Sequence, residues 1–171
     1  MLAEILKIVL PALMVFLAGY LAISAMIKSE TNRRKSELMF NNIKITTPVR
    51  LQAYERLVLF LERISPESLL PRTTKKGMLA SDLHTALLGT IRAEWEHNLS
   101  QQLYVSKEAW EMVKIAKENI IKLINVCADR INPNETSMAL SQKIIETYVE
   151  LDTNPTTLAI DFLKKEVAEI F

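Results

Sequence analysis

Residues 8–27, IVLPALMVFLAGYLAISAMI, run for twenty positions without a charged side chain. As a helix at ~1.5 Å per residue, such a run reaches ~30 Å, about the hydrocarbon thickness of a bilayer. A cleaved leader is the competing reading, because Ala22-x-Ser24 sets small residues at a cleavage-like spacing. The flanking charges favour an uncleaved anchor. Lys7 stands beside Glu4 ahead of the run, whereas Lys28, Arg33, Arg34 and Lys35 follow it directly. Positive charge marks the cytoplasmic flank, so the expectation is a single-pass anchor with the N-terminus outside and everything after residue 28 inside. Pro11 falls in the first turns, where a missing N–H costs least. In that orientation Asn98-Leu-Ser100 and Asn134-Glu-Thr136 are chance matches to the glycosylation pattern, on helices or caps.

Beyond the anchor the composition is helical. Three glycines and six prolines in 171 residues disfavour a turn-rich β protein, and Met, Leu, Ile, Ala, Glu and Lys dominate. The anchor helix should continue to about residue 40 and stop at Asn41-Asn42, poor helix formers that favour turns. That gives an anchor unit over 1–40, a connector over 41–47 and a cytoplasmic helical domain over 48–171. Thr47-Pro48 reads as a cap followed by proline at the first helical position. A stripe at 54, 57, 58, 61 and 64 marks the first helix of the domain, with Leu59 and Phe60 widening it. Ser65-Pro66-Glu67 could cap a short turn, and Pro71–Gly77 reads as a loop.

A long helix over 79–103 follows, with Leu83, Leu87, Ile91, Trp95, Leu99 and Leu103 four residues apart. The next helix runs from Ser106 to about Arg130 on Trp110, Val113, Ile120, Ile124 and Cys127, with Ile131 just past its end. The INPNET stretch (131–136) breaks the chain. Helices over 137–152 (Leu140, Ile144, Tyr148, Leu151) and from Pro155 onward (Leu158, Phe162, Leu163, Val167, Ile170) complete the pattern. The fold class is therefore all-α, an N-terminal transmembrane helix leading into a bundle of about five helices with antiparallel neighbours.

Charge is unevenly distributed. Residues 28–76 carry a balance of +6 and residues 77–171 one of −5, while the whole chain is at +1. An anionic lipid surface suits the basic part at ~1 kcal/mol per residue held near it, through Lys28, Arg33, Arg34 and Lys35. Solvated helix faces account for the acidic part, and no nucleic-acid partner is implied. Cys127 is the only cysteine, so no internal disulfide forms, and its apolar surroundings suit a buried thiol.

Glu94-x-x-His97 places a carboxylate and an imidazole on one flank of the 79–103 helix, with Gln101 beside them. This spacing is half of a carboxylate-bridged dimetal site. The other half is missing: the only other histidine, His84, has Ser81 rather than a glutamate three residues before it. A symmetric dimer could supply two copies. The simpler expectation is that Glu94 and Gln101 border the core while His97 bonds a neighbouring helix, with no metal and no cofactor. Arg92 and Glu96 read as an i, i+4 surface pair on the opposite flank. Together with Asn98 they make residues 92–101 a polar network or partner surface. Glu55-Arg56 and Glu62-Arg63 recur seven residues apart, and Trp95 and Trp110 read as core anchors. No Gly-rich phosphate loop, Cys/His cluster or nucleophile elbow is present, so an enzyme would need a site assembled by the fold alone.

The anchor, then LQAYERLVLFLERISP (51–66), TIRAEWEHNLSQQLYVS (90–106) and AIDFLKKEV (159–167), resembles an uncharacterised family of single-pass bacterial membrane proteins, typical of Bacteroidetes, with a domain of unknown function. The resemblance covers essentially the whole chain. It implies an inner-membrane protein with one anchor and a helical domain, and it brings no activity or catalytic residues. The reading that follows is a membrane-tethered scaffold or adaptor with a protein partner or a second copy of itself. One alternative is a structural subunit of a larger membrane complex, packing through Gly19, Ala18, Ala22 and Ala25. Another is a metal-dependent enzyme or sensor using Glu94 and His97.

Overall fold

A computed structural model describes the backbone of residues 2–170, with side chains from 14 to 169 save 15, 18, 22, 25, 32, 36, 38 and 40–42. Among these the chain is all-helical and no strand forms. The helices are α1 (Leu2–Ile64), α2 (Pro66–Thr73), α3 (Ala80–Asn98), α4 (Lys107–Ala128), α5 (Ser137–Val149) and α6 (Pro155–Ile170), with a 3₁₀ turn over Leu99–Leu103. Contacts divide the chain into two units, Met1–Thr47 and Pro48–Phe171.

In the first unit, α1 leaves its described apolar side chains open, with Phe16 and Met26 both 75% exposed. Arg33 pairs with Glu37 at 3.0 Å and Arg34 with Glu30 at 3.3 Å, both exposed i, i+4 pairs. Among the described residues no helix is long and apolar enough to cross a membrane. Of the expected span 8–27, the side chains of 8–13, 15, 18, 22 and 25 lie outside the described residues. The small-residue face lies there too, except for Gly19.

The expected helix stop at Asn41-Asn42 is corrected, because α1 is continuous to Ile64. Asparagine costs a helix only about 0.7 kcal/mol, and a proline removes one backbone bond while those on either side persist. The expected loop at Pro71–Gly77 is shortened as well. Pro71 lies inside α2, whose Leu69 and Leu70 are buried and whose Ser65 carbonyl accepts from Leu69 N at 2.8 Å. Burial here outweighs the ring's missing N–H. The loop left behind turns at Gly77, whose φ of 81° favours a residue without Cβ.

The core of the second unit joins all six helices: Tyr54, Leu57, Leu61 and Ile64 of α1; Leu69 of α2; Leu83, Leu87 and Ile91 of α3; Val113, Ile120 and Ile124 of α4; Leu140, Ile144 and Tyr148 of α5; and Ala159 and Leu163 of α6. Among the described residues, five expected core positions are exposed instead, Leu151 among them because it lies past the end of α5. Leu59 is 56% exposed because it falls outside the 54–57–61–64 arc of α1, and Leu158 is open while Ala159, Ile160 and Leu163 face in. Leu99 and Leu103 lose their places because α3 tightens to a 3₁₀ turn after Asn98, and three residues per turn shift the four-residue stripe out of phase. Gln101 is buried there in their stead.

The start of α3 is capped by a segment fifty residues later. Ala80 N donates to Glu135 O at 2.8 Å and Ser81 N to Pro133 O at 3.2 Å, while Ser137 N donates back to Met78 O at 3.0 Å. These bonds satisfy donors a helix N-terminus leaves without partners, and they tie the α4–α5 loop to α3. Ser106 caps α4, its Oγ accepting from Ala109 N at 2.9 Å.

Candidate functional site

On α1, residues 56, 59, 60 and 63 share a face by helical spacing. On α3, residues 90, 94 and 97 do the same. The two faces wall a cleft of about 420 Å³, with Arg56, Leu59, Phe60 and Arg63 on one side and Glu94 and His97 on the other.

Glu94 is the ordered centre of this cleft. Arg63 Nη2 pairs with Glu94 Oε1 at 2.9 Å, and Arg72 Nη1 stands 3.8 Å from the same oxygen. Arg72 spends its other nitrogens on backbone, Nη2 donating to Arg63 O at 2.7 Å and Nε to Ser68 O at 3.2 Å. It thereby closes a carbonyl at the end of α1 with a cation, a favourable placement. The Arg63 side chain is 45% exposed and that of Glu94 17%, so water screens the pair to about 0.2–1 kcal/mol.

His97 bonds within its own helix, correcting the expectation of an interhelical bond. Nδ1 lies 2.7 Å from Ala93 O. A carbonyl only accepts, so Nδ1 carries the hydrogen. The histidine that links two helices is His84, whose Nε2 stands 2.8 Å from Asn125 Oδ1 of α4. Asn98 is buried and donates its amide to Glu94 O at 2.8 Å, and Gln101 donates to Ser100 Oγ at 3.3 Å. Arg92 and Glu96 are exposed, and among the described residues no ion pair joins them. The polar flank at 92–101 is thus divided: Glu94, His97 and Asn98 line the cleft, and Arg92 and Glu96 face water. Among the described residues, no three His, Cys, Asp or Glu side chains gather as a metal would need.

Sequence reasoning missed Arg72, which it left in a loop, and the shared role of Arg56 and Arg63. Their signal was the seven-residue echo, a spacing that puts both guanidinium groups on one helix face. Behind the cleft wall Phe60 meets Trp95 at 5.6 Å between ring centroids, and Trp95 stacks on Trp110 at 4.7 Å. Lys117 Nζ sits 4.2 Å over the Trp95 ring. Both tryptophans are half-buried against the core, and Cys127 is buried beside Lys143 O and Thr147.

Two tyrosines are held neutral by burial. Tyr54 lies near Glu166, the Ser106 backbone and Arg50. Burial first, and the Glu166 carboxylate second, push its phenol above the ordinary 10.0. Among the described residues its hydroxyl nevertheless finds no bond of good geometry, and neither does Glu166 Oε2. Tyr148 is likewise raised by burial, against the lowering effect of its 2.9 Å bond to Thr156, with Glu67 and Glu62 adding to the rise. A second, largely apolar cleft of about 460 Å³ lies along α4 and α6, bordered by Ile115, Val126, Leu151 and Leu158.

A family of unknown function, DUF7935, matches residues 1–170. The chain belongs to that family. No curated protein and no solved structure matches it. Membership in DUF7935 therefore extends over both units and supplies no activity to read into the cleft.

Proposed function

We propose that this DUF7935 protein is a membrane-tethered helical adaptor acting at the cytoplasmic face of a bacterial inner membrane. The observation that carries the reading is the uncharged run at 8–27, whose described large apolar side chains (among them Phe16, Leu17, Tyr20, Leu21 and Ile23) are all more than half exposed. An apolar helix face of that size needs lipid or protein to cover it. Lys28, Arg33, Arg34 and Lys35 follow the run and are exposed, the placement expected of bases at an anionic leaflet. The Pro48–Phe171 unit brings a core of its own and a polar cleft, the makings of a recruiting module.

The test is chemical cross-linking in intact membranes, followed by solubilisation in several mild detergents, purification of the full chain and mass spectrometry. An adaptor should carry the same partner through every detergent. Recovery of the protein alone each time would overturn the reading.

A further inference from the structure

The cleft between α1 and α3 holds guanidinium donors that nothing among the described residues uses. All of the nitrogens of Arg72 are engaged, but Arg63 commits only Nη2 and Arg56 makes no hydrogen bond or ion pair among the described residues. Glu94, the one acidic group on the cleft wall, is already held by Arg63 and Arg72. The charged side chains lining the cavity, Arg56, Arg63 and Glu94, sum to +1. Beside them Leu59, 56% exposed, offers an apolar surface, and a volume of about 420 Å³ is in the ordinary range for a small-molecule pocket.

We propose that this cleft binds the carboxylate of a small organic acid, gripped by Arg56 and the free nitrogens of Arg63, with the acid's apolar part against Leu59. A guanidinium fork meets a carboxylate through two parallel N–H···O bonds, which gives orientation as well as attraction. A phosphate dianion would bring its second charge against Glu94, which stays in the cleft. The proposal assumes neither the tether nor the adaptor role, so it stands or falls separately from them.

The experiment follows 4-fluorobenzoate by fluorine NMR line-broadening against the full chain in neutral detergent. Saturable broadening is expected, with affinity falling at least about tenfold in Arg56→Gln, as loss of a charge-assisted pair implies. It should be partly restored in Arg56→Lys and unchanged in Arg130→Gln, an exposed arginine outside the cleft. Tryptophan emission, from Trp95 and Trp110 behind Phe60, reports that each variant retains its packing. Three results would each overturn the proposal: no saturable binding beyond that of empty micelles, equal displacement by neutral 4-fluorobenzamide, or stronger displacement by phenyl phosphate than by benzoate.

Discussion

Tyr54 places a hydroxyl where water does not reach, 1% exposed and without a hydrogen bond of good geometry. Replacing a buried, unpartnered polar atom by hydrogen removes a desolvation cost, so Tyr54→Phe should leave stability unchanged or raise it by up to about 1 kcal/mol. The same substitution should alter the alkaline limb. An unfolded Tyr54 releases its proton near 10.0, whereas the folded side chain holds it to higher pH. Its contribution is therefore intact below that value and is lost as pH rises from there toward the folded phenol's own pKa. Thermal unfolding of the full chain on both sides of this range should show wild type losing more stability than Tyr54→Phe, and equal losses would refute the assignment. Glu94 teaches a related lesson at the same scale. Sequence showed a carboxylate three residues from a histidine; the structure turned it to Arg63, and no periodicity within α3 could have named a partner on another helix.

Among the elements, α3 shows most sharply where a four-residue stripe stops being informative. Leu87 and Leu103 belong to the same stripe, yet Leu87 is fully buried and Leu103 is 77% exposed beyond the switch to 3₁₀ geometry. Leu87→Ala should cost about 2–5 kcal/mol and Leu103→Ala less than about 0.5 kcal/mol. Urea unfolding of both variants checks this, and comparable losses would mean that the helix runs on as the stripe suggested. The caps divide in the same way. Ser106 ahead of α4 was legible, because its own Oγ satisfies an N–H three residues on. The cap of α3 was not, since its acceptors, the carbonyls of Pro133 and Glu135, come from a loop whose position only the fold supplies. Pro71 inside α2 makes the same point from the other side: two buried leucines keep a helix that local preference would end.

At the scale of the whole molecule, the expectation concerns where the chain sits. The full-length protein should resist alkaline extraction from bacterial membranes, with a C-terminal fluorescent fusion lit inside the cell and an N-terminal tag open to protease from outside. Recovery in the soluble fraction, or the opposite accessibility, would refute the tether. The unevenness of charge that motivates it is a property of composition and was fully readable, as were the all-helical class and most of the buried stripes, including Leu83, Ile91, Ile120 and Ile144. Periodicity carries that information because a helix repeats every 3.6 residues whatever surrounds it. What only the tertiary structure decided is which polar groups meet: Arg56, Arg63, Glu94 and His97 around one cleft, His84 against Asn125, and Tyr54 beside Glu166. Those pairings join residues up to 112 positions apart in the chain, and they depend on how helices are set against one another, which no pattern within a single helix records.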